Sequence, residues 1–120
     1  MKKILVVDDD SGILDSVSLV LEEGGYDVKA IMKGDKAVQE AVFYNPDVIL
    51  LDVLMSGTDG REICKAMKKD KNTQDTPIIM MSAHPTVKHM TKECGADAFL
   101  EKPFDMHKLL KLISRFTYKT

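Results

Sequence analysis

The chain lacks a long hydrophobic run. After Met1-Lys2-Lys3 the first apolar stretch is only Ile4 to Val7, and three aspartates follow. That is far too short for a signal peptide or a membrane span, so a cytoplasmic location is expected. Cysteine is scarce: Cys64 and Cys94 are the only two, without CxxC or CxxxH spacing. Each falls in a predicted helical segment beside apolar neighbours, which favours buried free thiols over a metal or redox motif. Neither sign of charge dominates. A formal net charge of -2 and a pI near 5.9 give no basic field for direct nucleic-acid contact. Internal repeats, low-complexity tracts and interdomain linkers are also missing, so residues 1–120 read as one domain, long enough to bury a single core. What is present, 44% hydrophobic and 30% charged residues, is the make-up of an ordinary globule.

Continuous apolar runs rich in Val and Ile stand at Ile4 to Val7, Val48 to Leu51 and Ile78 to Met81. Runs of that length suit strands covered on both faces. Asp27 to Ile31 and Ala98 to Glu101 are weaker strand candidates, the first alternating and so nearer an edge. Between them, helical spacing joins Ile13, Val17, Val20 and Leu21; Ala37, Val38, Ala41 and Val42; Ile63, Cys64 and Met67; Val87, Met90 and Cys94; and Leu109, Leu112, Ile113 and Phe116. Gly24-Gly25 and Gly95 act as stops, Asn45-Pro46 and Thr76-Pro77 as breakers, and Asp105 as an N-cap. This alternation predicts an α/β, flavodoxin-like three-layer sandwich: a five-stranded parallel sheet in order 2-1-3-4-5 with five helices.

In such folds the functional crevice lies beyond the carboxyl ends of the strands, where strand order reverses. The first strand is followed there by Asp8, Asp9 and Asp10, the third by Asp52, the fourth by Ser82 and the fifth by Lys102-Pro103. Asp10, next to Ser11, reads as a cap for the first helix. Singly, Ser82 is an ordinary loop hydroxyl, Lys102 a solvated charge, and His84, His89 and His107 surface residues. Together, several carboxylates with a lysine and a hydroxyl exceed what capping requires. Clustered carboxylates repel unless a cation sits among them, and an all-oxygen donor set favours Mg2+ over zinc. Without metal the cluster is a standing penalty, so Asp8→Asn is expected to raise the melting temperature.

The motifs Ile4-Leu5-Val6-Val7-Asp8-Asp9-Asp10, Val48-Ile49-Leu50-Leu51-Asp52 with Asp59-Gly60, Met80-Met81-Ser82-Ala83, and Gly95-Ala96-Asp97-Ala98-Phe99-Leu100-Glu101-Lys102-Pro103-Phe104 resemble, in order and spacing, the response-regulator receiver domain of bacterial two-component systems. The resemblance spans essentially the whole chain. It implies that Asp52 accepts a phosphoryl group from a sensor histidine kinase or phosphotransfer protein. It makes Asp9 and Asp52 side-chain ligands of Mg2+, with Asp8 assisting mainly through water and the Leu54 carbonyl as backbone ligand. It makes Ser82 the switch hydroxyl, Lys102 the partner of the phosphoryl charge and Phe99 the aromatic switch residue. Two departures stand out. The loop Met55-Ser56-Gly57-Thr58-Asp59-Gly60 lacks the family's usual proline after the methionine and gains a glycine, so a more mobile loop is expected. Phe99 stands where many members carry tyrosine, so apolar packing must replace a hydroxyl contact.

Rival readings differ in class. A haloacid-dehalogenase-type phosphatase needs a second acid two residues after its nucleophile; Leu54 stands there, so a phosphoacceptor switch is expected rather than a turnover enzyme. A flavodoxin-type flavin site would be repelled by Asp8, Asp9 and Asp10. A receiver-like interaction module that is never phosphorylated is the remaining alternative. Output to a downstream protein, or self-association, is expected through the fourth helix, fifth strand and fifth helix, where Lys88, Lys92, Lys108, Lys111 and Arg115 form a basic patch. Thr120 closely follows the fifth helical segment, so either a stand-alone regulator or a piece of a longer one is expected.

Overall fold

The computed structural model describes residues 1–55, 57–84 and 92–118. Its strands are β1 (Lys3–Val7), β2 (Asp27–Ile31), β3 (Val48–Asp52), β4 (Leu54–Met55), β5 (Thr58–Asp59), β6 (Ile78–Ser82) and β7 (Ala98–Glu101). Its α-helices are α1 (Ser11–Glu23), α2 (Ala37–Tyr44), α3 (Gly60–Lys69) and α4 (Met106–Thr117), with one 3-10 turn at Gly34–Lys36. Five strands form one parallel sheet in the order β2-β1-β3-β6-β7. This is the expected 2-1-3-4-5 once the two-residue β4-β5 ladder is left out of the count. Four α-helices stand among the described residues where five were expected. The fourth expected segment, with Val87 and Met90, lies largely outside those residues, as do Lys88 and His89.

The three strongest apolar runs are the three central strands. Every residue of β3 and β6 is buried, because helices cover both faces of a parallel sheet. Successive side chains alternate across it. Leu5, Ile49, Leu51, Ile78 and Met80 face a core completed by α2 and α3. Ile4, Val6, Leu50, Ile79 and Met81 face a second core completed by α1 and α4.

Of the three aspartate caps at helix starts, Asp10 and Asp105 were expected from the sequence and Asp59 was not. Asp10 accepts hydrogen bonds from the amides of Gly12 and Ile13, Asp59 from Arg61 and Asp105 from His107, each satisfying amides left without an intrahelical acceptor. Two stripes differ from expectation. In α1 the buried residues are Leu14, Val17 and Leu21, one position on from the predicted Ile13. In α2 only Ala37 and Ala41 are buried, while Val42 and Phe43 are exposed: a helix of 8 residues brings only one narrow face to the sheet. Among the described residues, no helix is long and apolar enough to cross a membrane.

Candidate functional site

The sheet's carboxyl edge brings together residues far apart in the chain. Asp8 and Asp9 follow β1, Asp52 ends β3, Ser82 ends β6 and Lys102 follows β7. Carboxylate oxygens of Asp8, Asp9 and Asp52 lie within 4.8 Å of one another. Lys102 reaches across this pocket: its Nζ donates to Asp8 Oδ2 at 2.7 Å and to Asp52 Oδ1 at 3.3 Å. Its backbone amide donates to the Ser82 carbonyl at 2.8 Å, which ties the residue after β7 to the end of β6. Ser82 is buried, and its Oγ accepts the His84 amide at 3.0 Å.

Asp8 is fully buried. Its second oxygen accepts the Asp10 amide at 2.9 Å, so both of its oxygens are engaged. Asp10 turns its own side chain to the first turn of α1 and stays outside the acid cluster, as its cap reading expects.

Burial pushes the Asp52 carboxyl up to about 6, with the charge of Asp8 adding to the rise, Lys102 opposing it and Asp9 contributing least. Lys102 titrates above its ordinary value. Burial alone would lower it, but its hydrogen bond to Asp8 and the charges of Asp52 and Asp8 outweigh burial. The pocket is therefore a set of like charges held by one cation, in a place where screening by water is weak.

The backbone behind Asp52 is fixed by Gly60. A Cβ at that position would lie 2.1 Å from the Asp52 carbonyl oxygen, and the Gly60 amide donates to the Val53 carbonyl at 2.7 Å. Only glycine admits that approach. The Asp59-Gly60 pair was legible as a motif; its contact with the acceptor strand was not. Between Asp52 and Gly60 the loop is closed by the antiparallel β4-β5 ladder, which pairs Leu54 with Asp59 and Met55 with Thr58. Gly57 has a positive φ of 73°. The ladder pairs the two sides of the loop at its base. Leu54 lies at the surface.

Phe99 is half-buried against the α2-α3 core. It also lines a groove of about 330 Å³ with Lys92, Leu112 and Arg115, so it connects the sheet to the exposed side of α4. Lys92, Lys108, Lys111 and Arg115 are all exposed.

Fold and pocket together define a doubly wound α/β domain that gathers three carboxylates, a lysine and a hydroxyl at its strand ends. The sequence profile of the response regulator receiver domain matches residues 4–114, and the chain belongs to that family, the receivers of two-component systems. It is 36% identical over 122 aligned positions to the DNA-binding dual master transcriptional regulator RpaA of Synechocystis sp., covering 100% of this chain and 51% of that protein. The chain thus spans about half the length of that curated relative. Among solved structures, chemotaxis protein CheY4 of Vibrio cholerae matches with a TM-score of 0.90 and 36% identity, covering 97% of this chain and 98% of that one. The receiver domain of sensor histidine kinase PA1611 from Pseudomonas aeruginosa, solved with a magnesium ion coordinated in its active site cleft, matches with a TM-score of 0.90 and 25% identity over 98% of each chain.

Proposed function

We propose that the domain is a Mg2+-dependent phosphoacceptor switch in which Asp52 takes a phosphoryl group from a phosphohistidine on a sensor kinase or phosphotransfer protein in the cytoplasm. The observation that carries this reading is the convergence of three carboxylates on Lys102, within 4.8 Å of one another and with Lys102 Nζ 3.3 Å from Asp52.

The donor set fits a hard divalent cation, because the three clustered aspartates offer only oxygen and their charges exceed the single counter-charge of Lys102. Asp9 and Asp52 would hold Mg2+ through their side chains, Asp8 mainly through water, and Leu54 through its carbonyl. When bound, the ion neutralises charge on phosphoryl oxygens and helps orient the group for in-line transfer. Asp52 is the nucleophile: its Oδ forms a bond to phosphorus as the bond from phosphorus to the donor histidine's nitrogen breaks, and the electron pair leaves with the imidazole. Lys102 stays close enough to pair with the phosphoryl oxygens as negative charge gathers on them. The Ser82 hydroxyl, already at the pocket wall, donates to one of those oxygens once the group is attached. Phe99, with its ring between the sheet and the groove beside α4, moves with that rearrangement and carries it to β7 and α4.

The domain is not a turnover enzyme in this reading. The residue two places after Asp52 is the apolar Leu54, which cannot protonate a leaving group. The test is phosphorylation with acetyl phosphate and Mg2+, read by intact mass. One phosphoryl group per chain is expected, lost in Asp52→Asn. A chain that stays unmodified at full Mg2+ saturation would leave the reading without support and favour the unphosphorylated interaction module.

A further inference from the structure

We propose that a groove beside the acid pocket is a leaving-group subsite, through which the domain favours acyl phosphates with a bulky apolar acyl group as small-molecule donors. The proposal rests on the phosphoacceptor reading of Asp52. The groove has a volume of about 660 Å³. Ile13 and Ser16 of α1 form one wall, Phe104 and Met106 at the start of α4 the other, and Ala83 and Lys102 close the end nearest the pocket.

Two features identify the occupant. The first is continuity with the reacting atoms: Ala83 directly follows Ser82, and Lys102 Nζ lies 2.7 Å from Asp8 and 3.3 Å from Asp52. The second is the distribution of charge. The long wall is apolar, with Ile13, Phe104 and Met106 each half-buried against the α1-α4 core and the remainder of each open to water. Asp10 at the rim spends its side chain on the amides of Gly12 and Ile13. The phosphoryl head is the group that Asp52 and Lys102 receive in the phosphoacceptor reading, and the wall leading away from Lys102 complements an apolar body. Acetyl phosphate fills the head position and leaves the wall wet. A larger apolar acyl group covers the wall and releases that water.

The step balances without a co-reactant. An Asp52 oxygen forms a bond to phosphorus as the bond from phosphorus to the acyl oxygen breaks. The electron pair leaves with the carboxylate, which departs as an anion and needs no proton. The products are the Asp52 acyl phosphate and the free apolar carboxylate.

The experiment compares acetyl phosphate with cyclohexanecarbonyl phosphate on the full chain in saturating Mg2+. Their leaving carboxylates have similar basicity, so a difference in second-order rate reports binding. At least about a tenfold preference for the larger donor is expected, equal to about 1.4 kcal/mol, which roughly 55 Å² of apolar surface leaving water supplies. Ser16→Trp, which fills the groove from an exposed position, and Met106→Ser should each bring the ratio towards one, with melting curves confirming the fold. Cyclohexylmethylphosphonate, which cannot transfer its phosphorus, should shift the amide resonances of Ile13 and Met106 in the wild type and not in Ser16→Trp. If acetyl phosphate modifies Asp52 but the two donors react alike, or if neither variant moves the ratio, the subsite is refuted and the phosphoacceptor reading stands. If neither donor modifies Asp52, both fail.

Discussion

Lys102 is bound more closely to Asp8, at 2.7 Å, than to Asp52, at 3.3 Å. Asp8 thus serves as the fully buried anchor of the lysine, with its other oxygen held by the Asp10 amide. The charge that can be removed without breaking an anchor belongs to Asp52. An asparagine at position 8 would turn an amide NH2 towards either Lys102 or the Asp10 amide, setting donor against donor.

Asp8→Asn is therefore expected to destabilise the metal-free protein by about 1.5–3 kcal/mol, the usual range for a hydrogen bond to a charged group. This reverses the gain that a simple count of carboxylates suggests. Asp52→Asn carries the gain instead. Urea denaturation of both variants in EDTA at pH 7 checks the order, and a more stable Asp8→Asn would show that Lys102 does not depend on that anchor.

The Asp52 carboxyl titrates at about 6 against an ordinary 3.8. Its folded value is raised, so its contribution to stability is fully present below 3.8 and is lost as pH rises to about 6. The loss by pH 7 is about 3 kcal/mol. Metal-free wild type should fall in stability across that window relative to Asp52→Asn, with the difference level above it. Parallel pH profiles for the two proteins would remove Asp52 as the source.

Mg2+ should reverse that penalty by binding only the folded state, adding about 2.7 kcal/mol at a hundredfold excess over its dissociation constant. Asp9→Ala should abolish most of the gain. The reading is thermal melting against Mg2+ concentration. A melting temperature that does not move up to millimolar metal would eliminate the site.

Gly60→Ala places a methyl group 2.1 Å from the Asp52 carbonyl oxygen. The acceptor strand or α3 must then shift, at a cost of about 1–3 kcal/mol, with slower phosphorylation of Asp52. Gly57→Ala is the control: no atom lies within 4 Å of its Cβ, so it meets only the strain of its positive φ, about 1 kcal/mol, and should keep the wild-type phosphorylation rate. Equal rates in both variants would separate Gly60 from the acceptor's geometry.

A beryllofluoride adduct on Asp52 should alter amide exchange from Phe99 to Lys111, and Ser82→Ala should weaken that response while leaving Asp52 modification in place. The groove lined by Phe99, Leu112 and Arg115 is the surface that response is expected to reach. An adduct at full occupancy with every change confined to the loops around Asp9, Asp52 and Ser82 would disprove this route.

Much of the architecture was legible because its signals are local. Val48 to Leu51 and Ile78 to Met81 are short, Val- and Ile-rich apolar runs of the kind that suits strands covered twice, and the bounds of Asp27–Ile31 and Ala98–Glu101 agree with the sequence reading. The placement of Asp8, Asp9, Asp52, Ser82 and Lys102 at one edge followed from topology, whereas their individual roles were implied by the family resemblance. What escaped depends on distances between elements. The β4-β5 ladder joins only two residue pairs, too few to leave a periodic pattern. The approach of Gly60 to Asp52 and the preference of Lys102 for Asp8 are set by packing and carry no sequence spacing. The groove beside Lys102 arises where α1, the loop after β6 and the start of α4 meet, and no single segment of the chain encodes it.

The sheet divides the interior into two cores, one under α2 and α3 and the other under α1 and α4. Residues on opposite sides share the sheet and little else, so substitutions such as Met67→Leu and Ile113→Val should combine without coupling. Sequence drift can therefore proceed on one side at a time. The α1-α4 half can be recast while the opposite half keeps its packing, and the strand ends between them stay where the shared sheet holds them.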